Sequence, residues 1–148
     1  MVSKEVEKLL LKVQKPGRYV GGELNEVIKD KKKVDCRFAF CFPDTYEVGM
    51  SHLGMKILYS LMNAVPYIWC ERVFAPWVDM EEEMIKHNIP LYALESGDPV
   101  SDFDFIGFTL QYELSFTNML NMLRLSGVPI KSCDRKELKN TVVAGGPC

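Results

Sequence analysis

The chain has no apolar run approaching the ~18 residues of a membrane-spanning helix. Lys and Glu interrupt every apolar cluster from Met1 to Gln14, so the N-terminus offers no signal-peptide core. Both absences predict a cytoplasmic protein. Charge of one sign is also missing: the net charge is −2, which gives neither a nucleic-acid footprint nor attraction to an anionic membrane. The five cysteines (Cys36, Cys41, Cys70, Cys133 and Cys148) include no CxxC or CxxxCxxC group, so no local motif builds a zinc site or an iron–sulfur cluster. Reduced, mostly buried thiols are expected instead. Repeats and low-complexity segments are absent. No nucleophile is paired with a base, so the chain alone does not read as a catalytic unit.

What is present suits one domain. The 148 residues, 47% hydrophobic and 26% charged, are enough to bury a single core. The organising stretch runs from Phe38 to Gly54. Arg37–Phe42 is an apolar run that reads as a strand buried on both faces. Pro43-Asp44-Thr45 breaks it, and from Met50 to Val65 apolar residues recur at Met50, Leu53, Ile57, Leu58, Leu61 and Met62, the spacing of one helix face. Strand, tight loop and helix make the first half of a βαβ unit, and ligands of open α/β sheets sit at the carboxyl ends of such strands.

Taken in order, residues 3–14 predict an amphipathic helix with Val6, Leu9, Leu10 and Val13 on one face and Ser3 as its cap. Lys15-Pro16-Gly17 ends it, and residues 19–25 form an ordered loop. The basic run Lys29–Lys33 reads as a solvated turn. Residues 67–74 predict a second strand. Val78–His87 predicts a helix whose Asp79, Glu81, Glu82 and Glu83 favour its N-terminal dipole and form a solvated face rather than a metal site. Leu91–Leu94 is strand-like, Ser96–Pro99 a turn, residues 103–110 a third strand, and Leu114–Leu125 a helix stopped by Ser126-Gly127 and Pro129. Asp134–Asn140 is a polar connection. Thr141–Ala144 is a fourth, buried strand, and the lack of a helix to cover it predicts the front of a larger protein.

Three loops therefore meet at one sheet edge: Pro43–Gly49, Thr109–Glu113 and Gly145–Pro147. Glycines at 49, 145 and 146 allow close backbone approach, and a helix N-terminus offers free N–H groups to an anion. Turn geometry explains the same glycines. Asp44 either binds a polar group or caps a turn. His52 is expected to pack or cap, and Glu113 faces the same edge. A phosphoacceptor domain would need several acids here, and Asp44 supplies one.

The segments KPGRYVGGELN, FPDTYEVGMSHLGMKILY, WCERVFAPWVDMEEEM, PLYALESGDPVSDFDFIGFTLQYELSFTNMLNML and VVAGGPC closely resemble the N-terminal region of bacterial radical S-adenosylmethionine proteins fused to a cobalamin-binding-type domain. The resemblance implies an α/β fold, a doubly wound (flavodoxin-like, cobalamin-binding-like) parallel sheet left incomplete at the C-terminus. A lead-in over residues 1–34 precedes the domain at 35–148. It also implies a radical S-adenosylmethionine barrel in the same polypeptide beyond residue 148, where a CxxxCxxC motif would hold a 4Fe-4S cluster and S-adenosylmethionine. Cobalamin is the implied cofactor of the present domain, lined by Asp44, Tyr46, Gly49, Thr109, Gly145 and Gly146. The family's DxHxxG motif is broken: in Asp44-Thr45-Tyr46-Glu47-Val48-Gly49 a tyrosine stands where the histidine would ligate cobalt, and a phenol with pKa near ~10 is a poor metal ligand. A cofactor-free scaffold or substrate-docking module is the alternative implied by that break.

Overall fold

The computed structural model describes residues 4–136 and 140–146. Their architecture is a four-stranded, all-parallel sheet in the order β2-β1-β3-β4, comprising β1 (Cys36–Phe42), β2 (Ile68–Phe74), β3 (Phe105–Thr109) and β4 (Thr141–Gly145). Helix α1 is Lys4–Leu10, α2 Tyr46–Ser51, α3 Leu53–Ala64, α4 Val78–His87 and α5 Ser115–Leu125. This is the doubly wound α/β arrangement expected from the sequence. The proposed Ser3 cap, part of the polar connection after Asp134, and Pro147 and Cys148 lie outside the described residues.

The period-two alternation of β1 sorts its side chains between two cores. Ala39 and Cys41 join Val73, Ile106 and Phe108 in a large cluster covered by Met80 and Met84 of α4, Met122 and Leu123 of α5, and Val6 and Leu9 of α1. Phe40 and Phe42 face the other way and pack with Cys70 and Phe74 under Met55 and Tyr59 of α3. Both faces of the central strand are thus buried, which is why it reads as an unbroken apolar run.

The first long helix departs from expectation in two ways. It is broken at His52, whose backbone is extended (φ −77°, ψ 113°) and whose Nδ1 accepts a hydrogen bond from Met55 N at 3.1 Å, capping α3. The new start resets the helical phase. Met55, Tyr59 and Asn63 turn inward, while Leu53, Ile57, Leu58 and Leu61 are exposed. Hydrophobic spacing pointed to the wrong face because the true one is fixed by polar bonds. Asn63 Nδ2 donates to Cys70 O, Asn63 Oδ1 accepts from Cys70 N, and Tyr59 Oη accepts from Val27 N. Such pairing is what allows an amide to be buried.

Other expectations are corrected as well. Leu91–Leu94 forms no strand; a single bridge joins Tyr92 to Pro99. Strand β4 is an edge with exposed Thr141, Val143, Ala144 and Gly145 rather than a buried strand. Lys29 is no solvated charge: its Nζ donates to the carbonyls of Asn63, Val65 and Ile68 at 2.9, 2.8 and 2.5 Å. There it satisfies acceptors at the C-terminal end of α3, where a cation is favoured. Burial lowers its pKa. The acids of α4 are also engaged, Glu81 with Arg124 and Glu83 with Lys12. Of the described cysteines, all free thiols, Cys41 and Cys70 are buried, Cys36 is partly so, and Cys133 is exposed. Among the described residues no helix is long and apolar enough to cross a membrane, and no group of three or more His, Cys, Asp or Glu could hold a metal ion.

Gly49 shows how tightly α2 is packed against the sheet. A Cβ placed there would stand 2.2 Å from Cε1 of the buried Phe74 ring and 3.2 Å from Cδ1 of Phe42. Alanine would add up to ~1 kcal/mol of helix propensity, but overpacking typically costs about 1–3 kcal/mol. The Gly49→Ala protein is therefore expected to unfold at lower denaturant than the parent, a shift read directly by urea titration.

Candidate functional site

The chain leaves β1 toward β2 on one side and returns to β3 on the other, so the β1–β3 boundary is the topological switch point, where loops diverge and doubly wound sheets take ligands. Side chains from both loops meet there. Asp44 Oδ1 accepts from Thr45 N at 2.7 Å, and its Oδ2 accepts from the Tyr112 hydroxyl at 2.8 Å. Asn118 Nδ2 donates to Pro43 O at 2.9 Å. The Asp44 carboxylate raises the pKa of the Tyr112 phenol by holding its proton.

A second chain of bonds runs beside the first. Because His52 Nδ1 accepts the Met55 amide, its proton resides on Nε2, which donates to Gln111 Oε1 at 3.1 Å. Gln111 Nε2 in turn donates to Thr109 Oγ1 at 2.5 Å. With its oxygen accepting, the Thr109 hydroxyl keeps its own proton to give. The imidazole packs 5.3 Å from the Phe42 ring and has both nitrogens committed.

The six residues expected at the cofactor edge divide between two places. Asp44, Thr109, Gly145 and Gly146 gather at the crevice. Leu110 N donates to Gly145 O at 2.8 Å. A Cβ on Gly146 would lie 1.7 Å from Leu110 O, whereas one on Gly145 would meet nothing within 4 Å. Gly146 thus serves close packing between the loops, and Gly145 leaves an open face. Tyr46 and Gly49 lie on the β2 side instead. Tyr46 Oη donates to the Glu23 carboxylate, its ring stands edge-on to Phe74 at 5.5 Å, and burial pushes its pKa up to about 12, with the bond to Glu23 adding to the effect. Glu113 is exposed in the turn before α5.

Sequence reasoning bracketed Gln111 and Tyr112 within a loop without singling them out, and passed over Asn118. One signal was available: the polar pair Gln111-Tyr112 interrupts apolar residues directly after β3, at the ligand edge.

These groups are neutral donors and acceptors with one carboxylate. No imidazole nitrogen at the crevice is left for a metal, and His87, at the far end of α4, sits beside Glu83 at 3.3 Å. The residues fit a ligand held by hydrogen bonds and backbone contact, with no histidine nitrogen free to ligate a metal.

Fold and crevice together define a doubly wound α/β domain with a loop-lined crevice at the β1–β3 switch point. The family described as radical SAM proteins, N-terminal, matches residues 54–148, and the chain belongs to it. The chain is also 26% identical over 110 residues to an uncharacterised protein of Methanocaldococcus jannaschii; the match covers 74% of this chain and 19% of that protein. The chain therefore spans less than a fifth of the relative's length. No solved structure matches it at a significant level.

Proposed function

We propose that this chain is the cobalamin-binding-like domain at the front of a radical S-adenosylmethionine enzyme, and that it holds a ligand at the β1–β3 crevice without ligating a metal. The barrel, its 4Fe-4S cluster and S-adenosylmethionine belong in this reading to the remainder of the polypeptide. The observation that carries the proposal is the crevice network: Asp44, Thr109, Gln111 and Tyr112 converge from two diverging loops at the switch point, with the open face of Gly145 beside them.

Cobalamin is the ligand to test first; Asp44, Thr109 and Gly145 would hold it, and when bound it would supply the chemistry of a corrin-held cobalt. Thr109 would donate its hydroxyl proton to such a ligand, and Gly145 would let it reach the backbone. Hydroxocobalamin titrated into the full-length protein is expected to change its visible spectrum. Tyr46→His is expected to give the same spectrum as the parent, because position 46 faces Glu23 and Phe74. A histidine-ligated spectrum in that variant would place position 46 under the cobalt and overturn this assignment.

A second reading has its own support. The Tyr112–Asp44 and Asn118–Pro43 bonds already tie the two loops together, as a docking surface without a cofactor would require. An unchanged spectrum at saturating cobalamin would favour this reading.

A further inference from the structure

A second cavity, separate from the crevice, opens between α3 and the N-terminal lead-in. It has a volume of about 340 Å³ and is walled by Val27, Met50, Met55, Lys56, Tyr59 and Arg72. That size is within the range of small-molecule sites. The wall is apolar at Val27, Met50 and Met55, and among its polar members Arg72 is unusual in its bonding.

Arg72 is 5% exposed. Its Nε donates to Glu95 Oε1 at 2.6 Å, and its guanidinium lies 4.5 Å from the centre of the Tyr59 ring. The outer fork is poorly served. Nη1 points to the Met50 thioether at 3.4 Å, and Nη2 is buried with no partner. Sulfur is a weak acceptor, and a buried donor without a partner is destabilising. Glu23, another acid close enough to act on Arg72, is engaged by Tyr46.

We propose that this cavity binds a small amphipathic carboxylic acid, its carboxylate taken end-on by Nη1 and Nη2 of Arg72 and its apolar body lying against Val27, Met50 and Met55. The outer edge of a guanidinium matches the two oxygens of a carboxylate. Glu95 accepts from Nε, while Nη2 is left without a partner, so the outer fork can take a further acceptor. The Met50 sulfur, which accepts from Nη1, is the acceptor to be displaced; its flexible thioether chain moves at little cost. Lys56, exposed on the cavity wall, adds a second cation that favours an anion over a neutral ligand.

The test is calorimetric titration of the full-length protein with hexanoate and, separately, with 1-hexanol. A charge-assisted hydrogen bond contributes about 1.5–3 kcal/mol, so hexanoate is expected to bind about tenfold or more tightly than the alcohol. Ser60 is exposed and lines the same cavity. Ser60→Trp fills the space without touching the ion pair and is expected to abolish binding with the melting temperature unchanged. The double variant R72M/E95Q removes the fork and its partner charge together and is expected to erase the preference for hexanoate. If that variant does not fold, the other two measurements still decide. Equal affinity for acid and alcohol, binding that survives Ser60→Trp, or no binding of hexanoate would each overturn the proposal.

Discussion

Arg72→Met is expected to destabilise the domain by about 3–5 kcal/mol, the cost of leaving one member of a buried ion pair without its partner. The side chain of Glu95 is fully buried and that of Arg72 nearly so. Glu95 Oε2 also accepts from Arg72 N at 2.7 Å, so the carboxylate would keep backbone donors while losing its counter-charge. Burial already pushes the Glu95 carboxyl above its ordinary pKa, with Arg72 opposing that shift; removing the cation pushes it further. A carboxyl whose folded pKa is raised favours the native state at low pH, and that contribution is lost as pH rises through the folded value. The deficit of the variant is therefore smaller at mildly acidic pH than at neutral pH. Urea unfolding at the two pH values measures both the size and the sign. R72M/E95Q, which leaves no bare charge, is expected to recover most of the loss.

Phe103→Ala is expected to cost about 3–5 kcal/mol, the range for truncating a buried phenylalanine. Phe103 is 0% exposed and belongs to the larger core. Its ring is also the floor for Arg37, whose guanidinium lies 4.1 Å from its centre. That arginine donates to Glu71 Oε1 at 2.5 Å and pairs with Asp98 at 2.8 Å, so a cavity beneath it loosens the joint between β1, β2 and the turn at Ser96–Pro99. Thermal unfolding should show the largest drop among single apolar truncations on this face, and Phe103→Leu should recover much of it.

The sheet was legible because parallel strands buried on both faces advertise themselves as apolar runs. Residues 37–42 and 103–110 stand out for that reason, and α4 and α5 announced their ends through a loaded first turn and through Gly127, which adopts φ +68°. The inward face of α3 was not legible. Its phase depends on the His52 cap and on what Asn63 and Tyr59 bond to across the fold, and no periodicity encodes a partner distant in the chain. The same limit applied at the crevice. Asp44 and Thr109 could be placed at strand ends, but the Tyr112–Asp44 and Gln111–His52 links join residues 68 and 59 positions apart. Tyr46 was assigned by its place in a motif, whereas Phe74 and Glu23 decide where its ring points.

The clasp at Lys29 has a consequence for how such a gene can be cut and rejoined. Residues 1–34 read as a lead-in ahead of the domain, yet Val6, Leu9, Val13 and Tyr19 complete the larger core, and Lys29 buttons the chain onto the joint of α3 and β2. Trp69 Nε1 donates to Val27 O in the same strip. A recombination event that carried the domain from Asp35 onward would deliver the strand-end motif intact but strip one wall from each core. The heritable unit is the fold together with its leader, and any transplant of this domain onto another protein has to begin upstream of Val6.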